Sequence, residues 1–131
     1  MIVPLCQSAV CLLLMVSGAV ESLTASQTGY LSAYAESPTV GTIAYRQAVG
    51  DIPSDLSQFD VMIAVSDCRL IGKEGMLYTA VGPLRALVFD CAANDGTPSW
   101  MEENNIVAEI DWYTWQRWPV LVGSAAVLVI E

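Results

Sequence analysis

Four stretches decide how this chain folds: residues 62–78 (MIAVSDCRLIGKEGMLY), 85–91 (RALVFDC), 106–112 (IVAEIDW) and 125–131 (AAVLVIE). Within them, short aliphatic runs alternate with Gly, Asp and Lys breaks, the signature of successive short strands. Residues 61–65, 75–80, 84–89, 106–110 and 125–130 are therefore predicted as strands. Several have no polar face, as expected where a strand is covered on both sides. Three of the runs end on an aspartate: Asp67, Asp90 and Asp111.

Working outward from this half, residues 29–34 (GYLSAY) alternate and predict a first strand. Residues 39–45 offer a second β-rich run around Gly41, separated from the first by Ser37-Pro38. Residues 50–60 (GDIPSDLSQFD) read as a loop, because Pro53 and several turn formers interrupt any periodicity. Two helical turns are expected. One has Thr97 as cap and Pro98 as its first residue, runs through Glu103 and ends at Asn104-Asn105. The other is capped by Asp111 and stops before Pro119. The sequence contains no internal repeat. The expected fold is mainly all-β: a small six-stranded closed barrel with one or two short helices, closure removing edges that invite aggregation.

Composition limits what such a barrel does. At 131 residues the chain holds one domain and a leader. Five basic residues against 14 acidic, a net charge of −9 and no histidine disfavour a nucleic-acid partner, whose affinity rests on Lys and Arg. Without histidine, acid–base chemistry falls to carboxylates, and neither a metal nor another cofactor is expected. Residues 1–19 lack any charged side chain and end in Ser17, Gly18 and Ala19, which reads as a signal peptide or, if uncleaved, a membrane anchor. Residues 20–28 would be a polar linker and 29–131 the domain, facing the periplasm, the cell surface or the medium. The membrane would then be touched only through an uncleaved leader. Beyond the leader, Cys68 and Cys91 are the only cysteines, and each follows an aspartate. In an oxidising compartment they pair as a disulfide; the alternative is two buried thiols.

The order of the motifs resembles the double-psi β-barrel domains of secreted cell-wall proteins, namely the three-aspartate domain of lytic transglycosylase A relatives and the barrel of rare lipoprotein A. Gly29 to Tyr34 fits the opening G-x-A-S-x-Y strand; Ala64-Val65-Ser66-Asp67 followed by Leu70-Ile71-Gly72 fits the middle. Leu87-Val88-Phe89-Asp90, Ala108-Glu109-Ile110-Asp111-Trp112 and Val127 to Ile130 fit the remainder. The chain departs from rare lipoprotein A in having no histidine near Ser66 and in reading Asp90-Cys91-Ala92-Ala93 where that family has D-R-G-P.

The resemblance implies a peptidoglycan or polysaccharide partner. It also implies lytic transglycosylase-like cleavage in which one aspartic acid protonates the glycosidic oxygen, with Asp90 the nearest equivalent, then Asp111 and Asp67. Each aspartate has a structural alternative: Asp90 as acceptor of backbone amides, Asp111 as helix cap, Asp67 as turn cap. The three are expected to gather at one end of the barrel. Trp100, Trp112, Tyr113 and Trp115 form the candidate sugar platform, although Trp112, Trp115 and Trp118 at three-residue spacing also suit a helix face packed on the core. A glycan-cleaving enzyme, a non-catalytic carbohydrate-binding barrel and a secreted structural or protein-binding domain all remain compatible with the sequence.

Overall fold

The computed structural model describes residues 25–93 and 99–131. The signal peptide or anchor expected at residues 1–19 lies outside the described residues, as do Thr97 and Pro98. Six strands close into a barrel: β1 (Ala25–Ala33), β2 (Val61–Asp67), β3 (Glu74–Thr79), β4 (Gly82–Ala93), β5 (Ile106–Ile110) and β6 (Ala125–Ile130). Around the barrel they run β1-β5-β2-β4-β3-β6. The strands expected at 29–34, 61–65, 75–80, 84–89, 106–110 and 125–130 each overlap an observed strand. The first strand starts at Ala25, so residues 25–28 of the expected linker belong to the barrel wall.

Exchanging the strand triplet β1-β2-β3 with β4-β5-β6 leaves the pairing unchanged. The parallel ladders β1 with β5 and β2 with β4 swap, as do the antiparallel ladders β1 with β6 and β3 with β4. The ladders of β2 with β5 and β3 with β6 map onto themselves. Every ladder joins one triplet to the other. This mixed, interlocked barrel is compatible with a double-psi barrel.

The runs without a polar face are explained by two layers of packing. Val61, Ile63 and Val65 of β2 point into the barrel with Leu31, Leu77, Val88, Ile110 and Leu128. The intervening Met62 and Ala64 point outward, yet they are buried too. They lie with Ile52, Leu87 and Phe89 under Tyr34, Ile43, Leu56 and Phe59. The cover is supplied by the loop at 50–60 and by a helix, α1 (Glu36–Ala48).

That helix corrects the strand expected at 39–45. Thr39, Val40, Thr42 and Ile43 suggest a strand by type, but Thr39, Thr42, Ile43, Arg46 and Gln47 are the sheltered positions, a helical stripe of three- and four-residue steps. Pro38 is tolerated because the first turn needs no amide donor there. Glu36 and Arg46 sit at the helix ends that suit their charges. Gly41 falls on the outer side, where an added Cβ meets nothing within 4 Å. Gly41→Ala is therefore expected to stabilise the protein by about 0.5–1 kcal/mol, read as a rise in the thermal midpoint, because it removes backbone freedom from the unfolded chain at no steric cost. Gly75 is the opposite case: a Cβ there would run into the Val129 carbonyl oxygen of the paired strand β6.

Two shorter helices complete the fold, α2 (Trp100–Glu103) and α3 (Trp112–Arg117). The cap of α2 is Ser99, whose side chain accepts from the Glu102 amide while the Glu102 carboxylate accepts from the Ser99 amide. Asp111 caps α3, as expected.

Cys68 and Cys91 form the expected disulfide, with Cα atoms 4.9 Å apart and a sequence separation of 23. It ties the ends of the parallel pair β2 and β4. Closing a loop of that length removes unfolded-state entropy worth about 3 kcal/mol. Urea unfolding with and without reductant should show a loss of that size, and a loss near zero would mean the ladder alone holds these strand ends.

Candidate functional site

The three aspartates singled out by the sequence do not share one end. Asp111 sits at the start of β2. Its carboxylate accepts from the Met62 amide at 2.8 Å, the Thr114 amide at 3.0 Å and the Thr114 hydroxyl at 2.8 Å, and the residue is 4% exposed. All of this is structural work, joining a strand to a helix start. Asp67 lies at the other end of β2, five residues past Met62 and so about 16 Å away. It accepts from the Arg69 amide at 2.9 Å and pairs with the Arg69 guanidinium at 2.7 Å. Those bonds hold its carboxyl below the usual carboxylate range, which unsuits it as a proton donor.

Asp90 lies between these levels, opposite Ala64 in the β2–β4 ladder. Its two oxygens are both engaged. The Tyr34 hydroxyl donates to Oδ2, and Arg46 Nη2 donates to Oδ1 at 3.1 Å. Arg46 is itself fixed by the Phe89 carbonyl at 3.0 Å and by Asp51 at 2.9 Å. Burial alone would lower the Arg46 pKa, but its bonds to Asp51 and Asp90 outweigh that and raise it, so the guanidinium stays charged. Burial, then the hydrogen bond to Asp90, pushes the Tyr34 phenol well above its ordinary value, leaving it a permanent donor.

On the other flank of β2, Ala64 pairs with Glu109 of β5. Asp90 and Glu109 thus stand on either side of one small residue, two strand spacings or about 10 Å apart at Cα. Ala108 and Ile110 face the barrel core, which turns Glu109 to the outer wall. Among the described residues its carboxylate takes one hydrogen bond, from the Ser32 hydroxyl at 3.1 Å to Oε2. Burial raises its pKa; the Ser32 bond offsets part of the rise and the nearby charge of Asp90 adds to it. The wall therefore carries two unlike carboxylates: Asp90, bound to a guanidinium and a phenol, and Glu109, which holds its proton to higher pH than an ordinary glutamate.

In the sequence, Glu109, Ser32 and Tyr34 stand out only as parts of strand motifs, and Arg46 carries no signal of its own. One signal was available: Glu109 is the lone charge in the otherwise apolar strand IVAEI. The misread helix α1 hid Arg46.

The expected aromatic platform is divided. Trp100 on α2 and Tyr113 on α3 are 48% and 54% exposed, but they flank opposite ends of β5. Trp112 meets the edge of the Tyr113 ring at 5.4 Å, while Trp115 and Trp118 pack on the barrel core. On the carboxylate side, Ser66 donates to Glu102 at 3.3 Å and ties the end of β2 to α2.

Two surface hollows are defined, of about 580 and 150 Å³, and neither is lined by Asp90 or Glu109. The carboxylates lie on the outer side of the barrel wall and are partly sheltered, with the buried Ala64 between them under the cover that includes Tyr34. Among the described residues no group of three or more His, Cys, Asp or Glu is placed to hold a metal ion, and no helix is long and apolar enough to cross a membrane.

Fold and site together define a class: a disulfide-tied, closed six-stranded β-barrel with a carboxylate pair on its outer wall. Compared with protein-family models, curated proteins and solved structures, the chain has no match.

Proposed function

We propose that this is an exported barrel that acts on a polysaccharide, with Glu109 as proton donor and Asp90 as its anionic neighbour. The observation that carries the reading is the unlike surroundings of the two carboxylates. Burial raises the pKa of one, and the other is bound to Arg46 and Tyr34. A carboxyl group whose pKa is raised by burial, beside a carboxylate tied to a guanidinium, suits a division of acid and anion roles. The lytic transglycosylase resemblance puts the acid at Asp90; the engagement of both its oxygens favours Glu109 instead.

In this reading Glu109 gives its proton to the glycosidic oxygen as the bond to the anomeric carbon breaks. The Asp90 anion supports the positive charge that develops on the sugar ring. The Glu109 carboxylate then takes the proton of the attacking hydroxyl, which restores the acid. Tyr34 and Arg46 hold Asp90 in place. The disulfide supports export, since such bonds persist in oxidising compartments.

The experiment is incubation of the protein with insoluble peptidoglycan, chitin and cellulose, followed by mass spectrometry of the soluble fraction. Soluble fragments from at least one substrate are expected. Retention on a polymer without release would leave a binding barrel, and neither retention nor release would overturn the polysaccharide reading.

A further inference from the structure

The larger hollow lies on the opposite side of the barrel from the carboxylates. In the strand order, β6 is three steps from β2 in either direction, and the hollow is centred on β6 with β1 and β3 as its sides. Its floor is made of small side chains, Ala125 and Val127. Its walls are Tyr30 and Tyr78, 48% and 47% exposed. Tyr30 pairs with Ala125 across one ladder and Tyr78 with Val127 across the other. The two tyrosines are thus two strand spacings across the floor and two residues along it, about 12 Å apart at Cα. Thr28 and Asn105 complete the rim. No lining residue is charged, on a chain whose net charge is −9. Among the described residues neither tyrosine hydroxyl has a hydrogen-bond partner.

We infer that this groove is a binding site for a neutral saccharide, one ring held between Tyr30 and Tyr78. A pyranose has apolar faces and a hydroxylated edge. Two tyrosine rings offer faces to stack on, while their hydroxyls, Thr28 and Asn105 offer partners for the edge. The volume of about 580 Å³ suits a short run of sugar units. An extended peptide is the poorer occupant. The usual way a strand surface captures one is by pairing with a free edge, and β1, β6 and β3 are each paired on both sides. An anionic glycan meets the protein's own negative charge and no cation in the groove. The site shares its ligand class with the proposed function but rests on its own geometry.

The test is calorimetric titration of the full chain with three tetramers: β-1,4-linked glucose, β-1,4-linked N-acetylglucosamine and galacturonate. At least one neutral tetramer should bind, and the galacturonate tetramer more weakly. Tyr30→Ala and Tyr78→Ala should each weaken binding at least tenfold. Tyr30→Phe and Tyr78→Phe, which keep the rings and guard against a folding defect, should stay within about threefold, the stacking face being the larger contribution. Glu109→Gln should bind as the wild type does, so this site and the cleavage site fail separately. Absence of binding by both neutral tetramers overturns the inference, as does binding unaffected by the alanine changes. Self-association of the chain that is lost in Tyr30→Ala also overturns it, because the groove would then seat a second copy.

Discussion

Glu109→Gln should lower glycan cleavage by about 10²- to 10⁴-fold, the usual contribution of a positioned general acid. Glutamine keeps the shape of the side chain and its bond from Ser32, but it has no proton to give a leaving oxygen. Asp90→Asn, which keeps the acid but removes the anion beside it, should cost less and should loosen Arg46. A larger loss in Asp90→Asn than in Glu109→Gln would return the acid to Asp90. Wild-type activity should fall as pH rises through the raised Glu109 pKa, on a limb displaced above the ordinary carboxylate range. Stability carries a matching sign. A carboxyl whose pKa is raised by folding contributes fully below its unfolded value of about 4.3, and that contribution is lost as pH rises through the folded value. Glu109→Gln should therefore gain stability relative to wild type at neutral pH and gain none near pH 3. Equal midpoint shifts at both pH values would show that burial does not raise the Glu109 pKa.

Asp111→Ala should destabilise the fold by about 3–5 kcal/mol, a large part of the 5–15 kcal/mol that a domain of this size has to spare. The loss is not that of a simple helix cap. The Met62 amide lies inside the β2 wall and the Thr114 amide and hydroxyl are sheltered under it, so three donors lose one common acceptor where water does not reach. Asp111→Asn should lose less, since its amide oxygen still serves one or two of them. Chemical denaturation measures both, and a loss under about 1 kcal/mol for the alanine would mean that water enters and replaces the carboxylate.

The barrel was legible because its strands carry strong local signals. Apolar runs such as 61–65, 106–110 and 125–130 are short, β-branched and bounded by breakers, and the strands fall where those signals are. The helix α1 was not, because Thr and Val at its start favour extended backbone locally. Its helical stripe is apolar only in part, resting on Thr39, Ile43 and the stem of Arg46. Tertiary cover over Met62 and Ala64 decided the matter. The candidate site was half legible. Strand-end aspartates stand out in sequence, but which of them is spent on backbone amides depends on the contact of Asp111 with Met62, 49 residues away. Glu109 and Asp90 become neighbours only through Ala64, which belongs to a third strand and carries no chemistry of its own.

The ladders that join one strand triplet only to the other set the order in which this chain can fold. During synthesis, β1 and β2 emerge with nothing to pair with, since their partners are β4, β5 and β6. The hairpin of β3 with β4, joined by the turn at Ala80-Val81, is the one ladder available from neighbouring sequence. The parallel ladder of β1 with β5 must close a loop of more than 70 residues before it returns any stability. High contact order of this kind slows folding toward the millisecond-to-second range. The barrel therefore cannot close until β6, which pairs with both β1 and β3, has left the ribosome. Conversely, two fragments cut at the β3–β4 turn would each lack every partner strand and should be disordered alone, yet should assemble into the barrel when mixed.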